Sequence, residues 1–320
     1  MSDIIGLVLP FFGMIFLGYA VARITRQPVE ALGWMNTFVI YVALPAMFFQ
    51  LLAKTPIEKL TEFTFIFGAV FSTFVIFAIM FAISVFTSRG EIAESTVKGL
   101  GSAYGNIGYM GPGLALLAFG EAAAVPVALI FCFENMMHFA IAPMMMALAG
   151  SGDASPRALA LDVVKKIAFH PFIIATAVGV AAAALEVRPP LPIDTLLEYL
   201  ARAAAPCALF AMGVTLALRP LKRLPREIGL IAFLKLCVHP VLAFLVLSLV
   251  GNFDPVWVYT AVLLAALPTA TNVFVIGQQY GVWVERASAT ILVTTVLSVA
   301  TVTALLYAIK GGLLPPDLFP

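Results

Sequence analysis

Charge is what this chain has least of. Asp, Glu, Lys and Arg make up 11% of its 320 residues, while 62% are hydrophobic and the mean hydropathy is +1.06. A soluble domain carries nearer a quarter charged residues, and so few cannot cover a water-facing core of this size. With a net charge of +1 and no basic block, nucleic acid is excluded as a partner. Cysteine is also scarce. Cys132, Cys207 and Cys237 lie in apolar runs without metal or redox spacing and read as small buried hydrophobes. A Walker-type phosphate loop, a His-Glu-x-x-His motif and a Gly-x-Ser-x-Gly motif are all missing, as are paired intramembrane aspartates. Without them, ATP-driven work and membrane hydrolysis have no machinery, so no enzyme, metal or cofactor is expected.

Long apolar runs are abundant. Crossing about 30 Å of hydrocarbon takes about 20 helical residues, and such runs fall near 4–22, 34–53, 64–87, 97–118, 123–147, 167–186, 202–218, 228–250, 257–280 and 287–309. Ten transmembrane helices are therefore expected, in an all-α protein whose first partner is the lipid bilayer. Ala20-Val21-Ala22 imitates a signal-peptidase site, but only Asp3 stands where a basic leader should be. The segment also has a counterpart at Pro171, so it is expected to be a membrane helix.

That counterpart belongs to an internal repeat. Adding 161 carries Pro10-Phe11 and Gly18 onto Pro171-Phe172 and Gly179, Pro45 and Phe49 onto Pro206 and Phe210, and Phe119-Gly120 onto Tyr280-Gly281. One ungapped offset through three segments points to two copies of one unit. The expected division is a first repeat at 1–149, a linker at 150–160 and a second repeat at 161–320.

Loop charge sets the orientation. The odd-numbered loops hold twelve Lys and Arg, including Arg23, Arg157, Lys165 and Arg223; the even loops and the C-terminus hold five, Lys54, Lys59, Arg188, Arg202 and Lys310. Basic residues mark the cytoplasmic side. A multi-pass protein of the inner (plasma) membrane with both termini outside follows. Five spans per repeat then force the copies into opposite orientation.

Helices four and nine carry the signals for interruption. Segment four reads Gly105-Asn106-Ile107-Gly108-Tyr109-Met110-Gly111-Pro112-Gly113, and segment nine reads Leu267-Pro268-Thr269-Ala270-Thr271-Asn272. Proline removes a donor and clashes with the preceding turn, and glycine makes unwinding cheap. Irregular backbone at mid-membrane survives only inside protein or beside a watery cavity. Two half-helix N-termini meeting there would suit a carboxylate, with Asn106, Thr269, Thr271 and Asn272 as neutral hydrogen-bonding groups. A pair of simple proline kinks is the bland alternative.

Four side chains in the spans bear on charge. Lys235 either balances substrate charge or snorkels toward the cytoplasmic side marked by Arg226. Glu134 and His138 are four apart on one helix face and form a candidate proton-coupled pair or a structural tie. Asn135 lies next to Glu134, about a quarter-turn round. His170 and His239 each precede a proline and read as bend positions, and Glu121 reads as a loop residue.

The chain resembles the auxin efflux carriers, a family whose bacterial members include proteins assigned to malate and malonate transport. The resemblance runs through essentially the whole chain. It is strongest at Ala265-Ala266-Leu267-Pro268-Thr269 through Phe274-Val275 and Gln279-Tyr280-Gly281, similar to that family's ninth-helix crossover. Ala205-Pro206-Cys207 through Gly213, Asn106 with Met110-Gly111, and Lys235 followed by Pro240 are similar to its seventh, fourth and eighth helices. The fourth-helix proline sits one residue early here, at Pro112.

The resemblance implies a scaffold of spans 1, 2, 6 and 7 and a mobile transport unit of spans 3–5 and 8–10. The crossed helices would bind a small organic anion and move as an elevator, often within a homodimer. Asn106, Gly108, Tyr109, Met110, Gly111, Pro112, Pro268, Thr269, Thr271 and Asn272 are the expected substrate site, with Lys235, Glu134, Asn135 and His138 for charge balance or coupling to a proton or sodium ion. The competing expectation is a sodium/proton antiporter-like cation carrier titrating on Glu134 and His138.

Overall fold

A computed structural model describes residues 2–87, 91–150, 156–218 and 226–318. Among these residues the secondary structure is helical, apart from one isolated antiparallel pairing of Gly105 with Thr269. The cause is the composition. In a bilayer each backbone N–H and C=O must find its partner within the segment, and a helix does this locally.

Helix α1 (Ser2–Thr25) runs through Ala20-Val21-Ala22 without a break. α2 (Gly33–Phe38), a π-helical turn (Val39–Ala43) and α3 (Leu44–Ala53) follow as one rod. Next come α4 (Phe63–Thr87), α5 (Ile92–Ala103), α6 (Ile107–Phe119), α7 (Ala124–Leu148), α8 (Pro156–Ala168), α9 (Pro171–Ala184) and α10 (Leu191–Leu218). A second composite rod joins α11 (Glu227–Phe233), a π-helical turn (Leu234–Val238) and α12 (His239–Val250). The chain ends with α13 (Pro255–Ala265), α14 (Asn272–Tyr280) and α15 (Val284–Lys310).

Among the described residues, six stretches are long and apolar enough to cross a membrane: Glu30–Ala53, Phe63–Thr87, Glu121–Leu148, Leu191–Leu218, Glu227–Val250 and Val284–Lys310. Leu9–Thr25, Ile107–Phe119, Pro171–Ala184 and Pro255–Ala265 are shorter apolar helices. The protein is accordingly a multi-pass membrane protein, and large exposed apolar side chains such as Phe16, Phe67, Phe86 and Leu249 fit a lipid-facing surface.

Two expectations, on α10 and on the cysteines, need correction. α10 begins at Leu191 rather than 202, because Glu198 and Arg202 pair at i,i+4 and carry the helix through a polar stretch. Part of the expected linker, 151–155, lies outside the described residues, while Pro156 opens α8, where a proline at the first helical position costs no hydrogen bond. Cys132 is buried, but Cys207 is only half-buried and Cys237, in the second π-helical turn, is exposed.

Contacts divide the chain into two compact units. The first comprises Met1–Phe63, Gly108–Cys132 and Ala168–Pro220, and the second Thr64–Ile107, Phe133–Ile167 and Leu221–Pro320. In the first, α1 packs on α10 and α3 on α9. Small residues let these backbones approach. A Cβ on Gly18 would overlap the Phe210 carbonyl, and one on Gly213 the Ile15 carbonyl, while one on Gly179 would meet Leu52 Cβ at 3.0 Å and the Phe49 carbonyl oxygen at 3.3 Å. Phe48, Phe131 and Phe172 form an aromatic knot between α3, α7 and α9. The second unit is built round Ile76, Phe77, Val97, Leu100, Ile231 and Val273, and it contains the pairing of the broken segments.

Candidate functional site

The sequence signals at helices four and nine correspond to real breaks. α5 stops at Ala103 and α6 starts at Ile107; α13 stops at Ala265 and α14 starts at Asn272. The linking segments run antiparallel. Asn106 N–H donates to the Pro268 carbonyl at 2.8 Å, and Ala270 N–H donates to the Tyr104 carbonyl at 2.9 Å. Two polar backbone stretches thus satisfy each other where neither helix can, as buried backbone must. Thr269 pins the crossing: its hydroxyl donates to the Gly101 carbonyl at 2.6 Å and its N–H donates to Thr294 Oγ1 at 3.1 Å. That hydroxyl proton is committed to backbone.

Gly105 is at the centre for a steric reason. A Cβ there would lie 3.2 Å from the Leu264 carbonyl oxygen and 3.4 Å from Lys235 Nζ. Lys235 therefore reaches the crossing. Its side chain is fully buried, and Nζ donates to the Ala265 carbonyl at 2.6 Å and lies 3.0 Å from His239 Nδ1. Ala265 ends α13, so the ammonium sits at the negative end of a half-helix. The snorkelling alternative does not describe this geometry, since the amine is held inside the protein.

Asn106 is buried, and Pro268 is buried beside it; Thr271 and Asn272 are half-buried at the start of α14. Asn272 Nδ2 donates to Tyr104 Oη at 2.8 Å, and that hydroxyl donates to Asn135 Oδ1 at 2.5 Å. Tyr104 thereby links the two broken helices to α7. Its ring also stacks on His138, with centroids 3.9 Å apart.

Glu134 and His138 share a face of α7, yet His138 Nδ1 bonds the Glu134 backbone carbonyl at 2.6 Å. The Glu134 carboxylate instead accepts from Thr73 Oγ1 at 2.6 Å. His138 Nε2 is buried and has no hydrogen-bond partner among the described residues.

Gly108, Tyr109, Met110, Gly111 and Pro112 form the opening turns of α6, in the part of the chain grouped with the first unit. Met110, Gly111 and Pro112 are buried, and Gly108 and Tyr109 are half-buried. Gly108 leaves room for the Phe131 ring, 3.1 Å from where its Cβ would be, and Gly113 leaves room for Ala205. Also in the first unit is a cavity of about 550 Å³ lined by Gln50, Lys54, Lys59, Glu121, Glu198 and Arg202. No residue expected in the substrate site lines it, and its charges are mixed.

Tyr104 joins the crossing, and Thr73 and His239 lie behind it, on the side of Glu134; none of the three stands out in the sequence as a site residue. Tyr104 had a signal, since an aromatic hydroxyl directly precedes Gly105-Asn106. In the sequence, His239 reads as a bend before Pro240.

A family model described as "Membrane transport protein" matches residues 3–307. A Rhizobium meliloti (strain 1021) protein named "Putative malonate transporter" is 66% identical over 320 residues, covering 100% of both chains. An Escherichia coli (strain K12) protein, "Uncharacterized transporter YfdV", is 25% identical over 308 residues, 95% of this chain and 96% of its own. An "Uncharacterized transporter" of Methanothermobacter thermautotrophicus is 24% identical over 300 residues, 92% and 94% of the two chains.

Proposed function

We propose, since the chain belongs to the membrane transport protein family of the auxin efflux carriers, that it is a secondary carrier of a small dicarboxylate such as malonate or malate. It is a membrane transporter and not an enzyme. The observation that carries the substrate class is the crossing: Lys235 brings a buried ammonium beside two paired, broken helices. α6 and α14 begin there, and each N-terminus contributes about half a positive charge. Asn106, Thr271 and Asn272 offer neutral donors and Pro268 shapes the backbone round them, while Gly108–Pro112 follow Asn106 along the chain. The name of the Rhizobium meliloti relative supports malonate within this class.

In this reading ten spans form two inverted repeats. The six long and four shorter apolar helices support that count. Symmetry has support from a pair of contacts: Gly18 lies against Phe210, and Gly179, its counterpart at offset 161, lies against Phe49, the counterpart of Phe210. Spans 1, 2, 6 and 7 act as scaffold in a homodimer, and spans 3–5 and 8–10 move as an elevator in the inner membrane, with both termini outside. Spin labels on α1 and α15 whose separation stays fixed under every gradient would exclude that movement. Native mass spectrometry and C-terminal reporter fusions check the dimer and the orientation.

The decisive experiment is uptake of radiolabelled malonate, malate and indole acetate into proteoliposomes. Saturable flux of a dicarboxylate is expected. Proton movement on adding sodium, with no acid flux, would replace this reading with the cation carrier that titrates on Glu134 and His138.

A further inference from the structure

We propose that Glu134, Thr73, His239 and Lys235 form a relay that takes up one proton for each anion carried, making the protein a proton-coupled symporter. The inference rests on the carrier reading above and adds to it the coupling ion and its route.

The four side chains come from α7, α4, α12 and the second π-helical turn, and all are buried. Thr73 Oγ1 is 2.6 Å from Glu134 Oε1 and 3.0 Å from His239 Nε2; His239 Nδ1 is 3.0 Å from Lys235 Nζ; and Lys235 ends on the Ala265 carbonyl at the crossing. The chain of contacts is continuous from carboxylate to substrate region. Thr73 also lies 3.3 Å from the Ala69 carbonyl, a longer and neutral alternative for its single proton.

With Glu134 ionised, the chemistry of these groups sets the direction of every bond. An ionised carboxylate only accepts, so Thr73 donates to Glu134. The threonine oxygen then accepts from His239 Nε2–H. That tautomer leaves Nδ1 as an acceptor, to which the Lys235 ammonium donates a hydrogen bond. The chain is thus a stretched ion pair with two neutral groups between the charges.

One other assignment is equally self-consistent. Lys235 gives a proton to His239 Nδ1, His239 gives its Nε2 proton to Thr73 Oγ1, and Thr73 gives its own proton to Glu134. Three N–H or O–H bonds break and three form. The result is a neutral amine, a neutral imidazole of the other tautomer, a hydroxyl and a carboxylic acid. No co-reactant is needed, and both arrangements keep each heteroatom paired.

Anion binding biases the relay. When a carboxylate at the crossing engages the Lys235 ammonium, the Glu134 carboxylate loses its electrostatic partner in a medium where an unpaired charge is very costly. Lys235 then passes a proton along the relay to Glu134 and takes a replacement from a hydronium ion at the crossing, so one hydronium O–H bond breaks, one carboxyl O–H bond forms, and the Glu134 charge is removed while the ammonium stays. Release of the anion restores the ion pair and expels the proton. The remaining titratable groups facing this cluster are His138, which bonds the Glu134 backbone carbonyl, and Tyr104, whose phenol is held between Asn135 and Asn272. Neither interrupts the chain.

The test uses proteoliposomes of the full chain with a pH-sensitive dye inside. For the wild type, external malonate acidifies the lumen, and an inward proton gradient accelerates malonate uptake where a sodium gradient does not. Thr73→Val keeps the shape of the side chain and removes the hydroxyl. It should retain malonate–malonate exchange while losing both acidification and gradient stimulation, and Thr73→Ser should restore them. Glu134→Gln should exchange malonate with no response to pH. Acidification and stimulation unchanged in Thr73→Val and Glu134→Gln would overturn the relay, as would wild-type uptake driven by sodium alone. Absence of any wild-type malonate exchange would overturn the carrier reading and this inference with it.

Discussion

Gly18 in α1 sits directly against the backbone carbonyl of Phe210 in α10, with no space for a side chain between them. The same relation recurs with the residues exchanged by the offset of 161, where Gly179 in α9 sits against Phe49 in α3. In lipid, helices gain little from hiding apolar surface against one another, so close backbone approach supplies much of the attraction. These two glycines hold the packing of the first unit.

Gly18→Ala should therefore destabilise the protein by about 1–3 kcal/mol, the usual range for forcing a methyl into a filled interface. Gly13→Ala is the control, because nothing lies within 4 Å of the position its Cβ would take. Thermal unfolding in detergent should show a clear drop for the first and little change for the second.

Tyr104→Phe keeps the ring on His138 and deletes the hydroxyl between Asn135 and Asn272. The buried Asn135 and the half-buried Asn272 each lose a partner, at a cost of about 1–3 kcal/mol for the buried amide if nothing replaces it. Thermal stability should fall and malonate affinity with it, since α14 would no longer be tied to α5 and α7. A scintillation proximity assay with labelled malonate measures the second effect.

Lys235→Met should abolish uptake and also destabilise the fold, because it leaves the Glu134 carboxylate buried without its cation; breaking a buried pair costs about 3–5 kcal/mol. The double variant Lys235→Met with Glu134→Gln should recover most of that stability but none of the uptake. Lys235→Arg should not restore uptake. A planar guanidinium cannot occupy the position of a compact ammonium wedged against Gly105.

Asn106→Ala should weaken malonate binding by about tenfold to a hundredfold, as expected for losing a hydrogen bond to a charged ligand. Equilibrium binding to purified protein reads this directly. An unchanged dissociation constant in a folded variant would remove Asn106 from the site.

What could be read from the chain and what could not divide along physical lines. The helix breaks were legible because Gly105 and Pro268 to Asn272 carry local backbone chemistry that favours unwinding, although Gly108 to Gly113, Pro112 included, lie inside α6. The relay was not, because Thr73 is 61 residues from Glu134 and 166 from His239. No periodicity within one helix connects them. Glu134 and His138 illustrate the hazard of spacing alone. Four residues apart does put them on one face, yet the imidazole turns to a backbone carbonyl and the carboxylate turns to α4. α10 shows the complementary error. A hydropathy run ends at Arg202, but the hydrogen-bond ladder continues to Leu191.

The wide turn at Leu234–Val238 has a genetic reading. Such a turn holds one residue more than an α-helix needs, and it has the form of a single-codon insertion within an otherwise regular rod. Excising one residue between Leu234 and Val238 would restore uniform winding and rotate everything on one side by about 100° relative to the other. Lys235 and His239 would then face different neighbours, although every amino acid type in the relay remained. This five-residue stretch should tolerate changes of side chain on its exposed side, at Cys237, far better than any change of length.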